Sequence, residues 1–154
     1  MTIKITLKRA EILFDIHNQS HHECLNITDV EERYRKEAGS DKTEELNRFI
    51  AESVSELHAI FHRWIADDYE ENMDDVPEDN PGDIVLELDM SARRTAGKAK
   101  SLTERTHSFV VNRTLGRHYS SVGLADLAQL HTQESEDTAA YLERIVYQRN
   151  EPIL

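Results

Sequence analysis

Eight histidines stand in 154 residues, and imidazole is the side chain best suited to proton transfer and metal ligation near neutral pH. His17 and His21 are four apart and Cys24 follows three later, so a helix would carry all three on one face, as a Zn²⁺ or similar ion requires. His58 and His62 repeat the spacing, and His131 could add a ligand from the last helix. Such a site could activate a water, giving a metal-dependent helical-bundle enzyme as one reading. The competing reading is structural: boundary histidines bury their rings and hydrogen-bond through a nitrogen. Pairs spaced H-x3-H arise easily in a histidine-rich helical chain, so the expectation is no metal, no cofactor and no catalytic residue.

Other motifs add little chemistry. Glu104-Arg105-Thr106-His107 is a single Glu-x-x-His, whereas a di-iron bundle needs two, with two further glutamates. HExxH, G-x-S-x-G, P-loop, G-x-G-x-x-G and C-x-x-C patterns are absent. Asp67 to Asp83 holds nine acidic residues and no basic one, with Pro77, Pro81 and Gly82. Set against a calcium-binding loop with Gly82 as its glycine, Pro77 and Pro81 fall at ligand positions and Leu88 replaces the bidentate glutamate. An exposed connecting loop over residues 67–83 is the expectation.

Between Ser91 and His118 lie Arg93, Arg94, Lys98, Lys100, Arg105, Arg113 and Arg117 against one acid, Glu104. Such a stripe could hold an acidic partner, with Arg93, Arg94, Lys98 and Arg105 as its candidates, or it could offset the acidic loop. A net charge of −12 disfavours nucleic acid and anionic membranes. Partners are therefore expected to be proteins or other copies of the chain. One cysteine precludes an internal disulfide framework and fits a reducing compartment. The N-terminus lacks an uninterrupted apolar signal segment, and no run is long enough to cross a bilayer. Cytoplasmic placement is the expectation.

The elements that must position these residues read as mainly α, a four-helix-bundle-like single domain over residues 1–154 with a minor two-strand β element. Thr43 to Tyr69 carries Leu46, Ile50, Val54, Leu57, Phe61 and Trp64 every three or four residues, one apolar stripe on a long helix. Residues 2–7 and 84–90 alternate and are expected to pair, or the second to lie extended across the bundle. A helix over about Leu7 to Leu25 is expected to turn Leu7, Ala10, Phe14, His17, His21 and Cys24 to one side. Thr28-Asp29-Val30-Glu31 reads as a capping box opening a short polar helix that ends near Gly39.

Ser91 is expected to cap a helix to about Tyr119, with an inner face of Ala92, Ala96 and Ala99, then Thr106, Phe109 and Val110. Gly116 and Gly123 are expected to bracket a break. A last helix from about Leu124 to Arg149 carries a polar middle of His131, Ser135 and Thr138, which suggests an interruption near Thr132.

ITLKRAEILFDIHN, EELNRFIAESVSELHAIFHRWI and IVLELDMSARR leading into a basic helix together resemble a family of small, uncharacterised helical proteins encoded in prophage-like clusters of gut bacteria. The resemblance covers most of the chain and rests on the order and pattern of elements. It implies a helical, non-enzymatic protein acting in assembly of a phage head–tail or tail-like structure, with no catalytic residue to carry over. His17, His21 and His62 fall outside the family's pattern, and the stretch from Leu124 to Thr138 is longer than that pattern.

Overall fold

The computed structural model describes residues 2–62, 82–89 and 99–147. Strands β1 (Thr2–Leu7) and β2 (Ile84–Asp89) pair antiparallel, with Ile3 opposite Leu88, Ile5 opposite Leu86 and Leu7 opposite Ile84. Alternation puts these six apolar side chains on one face, and all six are buried. Each contributes roughly 1.5–3 kcal/mol by leaving water, which a two-strand ribbon needs because it is marginal alone.

The helices are α1 (Arg9–Glu23), α2 (Val30–Lys36), α3 (Thr43–Phe61), α4 (Ala99–Val122) and α5 (Ala125–Tyr147), with a 3-10 turn at Ser40–Lys42 before α3. The molecule is thus mainly helical with a two-strand antiparallel sheet. Among these elements α4 is shared: it packs on α5, α3, α1, α2 and β1. Its buried residues run all round, including Leu102, Phe109, Val110, Val111, Leu115 and Tyr119. Exposed positions are confined to its ends, at Lys100, Glu104, Arg105, Ser120 and Ser121, so most of its length has no solvent face to leave polar.

The α3 stripe is as the periodicity dictates: Leu46, Ile50, Val54, Leu57 and Phe61 are buried, while Trp64 lies outside the described residues. On α1 the expected face fails at Ala10, Phe14 and His21, which are exposed, although Leu7 and Cys24 at its ends are buried. Ile12, Ile16 and Ser20 point inward, and Phe14 is 66% exposed. The two stripes compete on one helix, and β-branched isoleucines that fit the core win it.

Asp29 rather than Thr28 caps α2, its carboxylate accepting from Glu31 N at 3.0 Å, and the helix ends at Lys36 rather than near Gly39. α4 runs through Gly116 without a break and ends at Gly123, whose φ of +82° suits a residue lacking Cβ. There Leu124 N donates to Tyr119 O at 2.9 Å, the six-to-one bond of a Schellman cap. α5 is continuous through Thr132, because its polar middle faces polar partners inside the molecule. The expected Ser91 cap with Ala92 and Ala96, and acidic residues 67–81, lie outside the described residues.

Candidate functional site

Two polar constellations organise the interior. The first joins α1, α4 and α5 around His131, which is 1% exposed. Its Nδ1 donates to Asn112 Oδ1 at 2.8 Å, and its Nε2 faces Glu23 Oε2 at 2.7 Å and Oε1 at 2.9 Å. Asn112 is oriented by its own amide, which donates to Ser108 O at 3.1 Å. With that oxygen turned to the ring, both imidazole nitrogens meet acceptors. The set is complete when each nitrogen carries a proton, or when the second proton sits on the Glu23 carboxyl.

Tyr119 extends the cluster. Its hydroxyl lies 3.1 Å from both Ser20 Oγ and Glu23 Oε1, and its ring sits 5.6 Å from that of His131. Burial drives the Tyr119 phenol well above its ordinary range, the Ser20 hydrogen bond opposing and the Glu23 carboxylate adding to the rise. Cys24 is fully buried beside Ser20, and burial raises its thiol too, against the hydrogen bond from Ser20. A protonated thiol is a poor nucleophile and a poor metal ligand.

The second constellation grips the end of α2. A helix C-terminus leaves carbonyls without intrahelical donors, and here side chains from three other segments supply them. His118 Nε2 donates to Lys36 O at 2.8 Å, and His17 Nδ1 to Ala38 O at 2.6 Å. Lys42 Nζ donates to Tyr34 O at 2.7 Å and also to Glu37 O. Ala38 N donates to Ser20 Oγ at 2.8 Å, and His21 Nδ1 to Glu37 Oε1 at 2.9 Å. Burial lowers the His118 imidazole below its ordinary value, although the Lys36 carbonyl pulls the other way.

These placements separate the candidate metal ligands. His17 and His21 serve the 37–38 segment, Cys24 sits under Ser20, and His131 belongs to Glu23 and Asn112. His62 Nδ1 donates to Ala59 O at 3.1 Å on its own helix, and His58 is half-buried on α3. Among the described residues no three His, Cys, Asp or Glu side chains converge as a metal site. The Glu104-x-x-His107 pair also parts, since His107 Nε2 donates to Asp15 Oδ2 at 2.6 Å across to α1.

Among the described residues of the basic stripe, Arg105, Arg113 and Arg117 are engaged within the molecule. Arg113 Nε donates to Glu56 Oε2 at 2.7 Å and its Nη1 to Ser135 Oγ at 3.2 Å. Arg117 pairs with Glu56 and, at 3.2 Å, with Glu52. Arg105 stacks over the Tyr141 ring at 4.6 Å. Arg93, Arg94 and Lys98 lie outside the described residues. Among the described residues, the acids that Arg113 and Arg117 meet, Glu52 and Glu56, belong to α3.

What sequence reasoning missed is the reach of Glu23, Asn112, Ser20 and His118. The one local signal was their type: polar residues at positions otherwise inward on amphipathic helices. Comparison with family models, curated proteins and solved structures returned no match to this chain. No helix among the described residues is long and apolar enough to cross a membrane.

Proposed function

We propose that the chain is a non-enzymatic docking protein, a four-helix-bundle-like scaffold that presents the outward face of α2 to a second copy of itself. The observation that carries this reading is on α2. The helix buries none of its own side chains, and Val30 and Tyr34, four apart on one face, are 66% and 62% exposed. Leu25, just before the helix, is 49% exposed.

Charge favours a like partner. Asp29, Glu31 and Glu32 begin the helix, and Arg33, Arg35 and Lys36 close it. Two copies laid antiparallel bring the acidic start of each to the basic end of the other, with the apolar pair between them. The face is small against the roughly 1,200–2,000 Å² of a stable interface, so the association is weak and reversible unless further surface joins it. A role in phage head–tail or tail-like assembly, in the cytoplasm, is the narrower reading, and its support is the resemblance in the order of elements.

Sedimentation velocity over a range of concentrations tests self-docking. The expected result is a concentration-dependent dimer that Val30→Glu/Tyr34→Glu returns to monomer with its helicity unchanged. A monomer at every concentration, or a dimer indifferent to the double substitution, overturns α2 as a self-docking face.

A further inference from the structure

α2 is attached in an unusual way. It buries no side chain, so its end is held chiefly by side chains of other segments bonding to backbone carbonyls of residues 34–38. His118 is the interior member of that grip, 0% exposed on α4. Its Nε2–H is committed to Lys36 O, while its Nδ1 finds no hydrogen-bond partner among the described residues. The neutral ring with one proton is the form this pocket fits.

We propose that the joint between α2 and α4 is an acid-opened latch: protonating His118 frees the 34–38 segment, lifts the end of α2 from the core and bares Cys24. A proton added at Nδ1 makes a buried N–H without an acceptor and a buried charge, two costs with one relief, which is for the ring to reach water. Reaching water breaks the Lys36 bond.

The surroundings of the ring set the direction. Burial is the largest influence and opposes the charged form, and the Lys42 ammonium opposes it further. The Lys36 carbonyl, Glu45 on α3 and Asp41 in the 3-10 turn favour it, and Tyr119 lies 5.5 Å away ring to ring. The net is a ring held neutral below its ordinary value. His17 and His21 hold the same segment beside His118, through Ala38 O and Glu37 Oε1, and so set how much its release has to overcome.

Cys24 makes the opening visible. Ala38 N binds Ser20 Oγ, and Ser20 and Glu37 both act on the Cys24 thiol. Ala38 and Cys24 are both fully buried and share Ser20 as a neighbour, so withdrawing residues 37–38 is expected to expose the chain's single cysteine. The open form binds one more proton than the closed form below the ordinary histidine range. Opening thus rises up to about tenfold from about pH 7.5 to about pH 5.5.

Segment-resolved hydrogen exchange on the full chain at those two pH values, corrected for intrinsic rates, reads the opening directly. Labelling with 4,4′-dithiodipyridine, which reacts with thiols in acid, reads Cys24 against the urea-unfolded chain at the same pH. The expected result is a several-fold loss of protection over residues 33–42 in acid while the interiors of α3 and α4 hold theirs. Cys24 labelling should accelerate by a matching factor, and both changes should vanish in His118→Gln. If that variant does not fold, the ring resonances of His118 in the unaltered protein take its place, since opening must track that ring's titration. Unchanged protection over 33–42 overturns the latch, as does opening that follows another ring or loss of protection in α2 and α4 together.

Discussion

His131 and Glu23 stand 108 residues apart and meet at 2.7 Å, tying the end of α1 to the middle of α5. The ring is 1% exposed and the carboxylate side chain 17%. Glu23→Ala would strand His131 Nε2 in the interior and leave the Tyr119 hydroxyl only Ser20 Oγ. Breaking such a pair from one side costs about 2–4 kcal/mol, read as a lower urea midpoint. The exposed Asp15–His107 pair is the control: its carboxylate is 50% exposed, and Asp15→Asn should shift stability by no more than about 0.5 kcal/mol. Equal losses at the two sites would refute the special standing of the buried cluster.

Much of the fold was legible where one face is apolar and the other polar. The α3 stripe and the β1–β2 pairing follow from periods of 3.6 and 2. α1, α4 and α5 were harder because their inward faces include Ser20, Asn112, Thr114, His118, His131 and Ser135. Most of these polar groups are satisfied by partners on other segments, as Ser20 is by Ala38 and Tyr119. Periodicity counts a buried serine as surface, which turns Phe14 inward and makes the middle of α5 look like an interruption. Neither error is visible from within one helix.

Tyr119 makes stability fall in alkali. Its folded phenol is held above its unfolded value near 10, and the Cys24 thiol above its own near 9. Above those unfolded values the unfolded chain has released protons that the native one retains. The contribution is therefore complete below about pH 9 and lost as pH rises from there. Tyr119→Phe should cost about 1–2 kcal/mol at neutral pH for the hydrogen bonds to Ser20 and Glu23. It should also flatten the decline above about pH 10. A variant whose alkaline slope matches the unaltered chain would show that the phenol is not its source.

Glu56 receives both Arg113 and Arg117 and so pins α3 to α4. The three side chains are 25–35% exposed, so solvent screens the attraction. Glu56→Gln should destabilise by about 1 kcal/mol at low salt, with the loss shrinking towards 1 M salt as the Debye length contracts to about 3 Å. Urea midpoints at two ionic strengths check it. A loss that salt leaves untouched would assign Glu56 a packing role instead.

Gly116 sets propensity against packing on α4. Alanine is favoured over glycine inside a helix by about 1 kcal/mol, so an exposed glycine here would be improved by substitution. A Cβ at this position, however, would meet Thr132 Oγ1 at 2.8 Å, the Thr132 backbone nitrogen at 3.3 Å and Ala128 O at 3.6 Å on α5. The hydroxyl can swing aside, but the nitrogen moves only with its helix, and overpacking of this kind costs about 1–3 kcal/mol. Packing therefore outweighs propensity, and Gly116→Ala should lower stability by about 1 kcal/mol net. Adding Thr132→Ala removes the hydroxyl but not the backbone nitrogen, so the glycine substitution should still cost stability, by a smaller amount, when measured against Thr132→Ala alone. If Gly116→Ala stabilises the unaltered chain, α4 and α5 do not approach as closely here as these distances require.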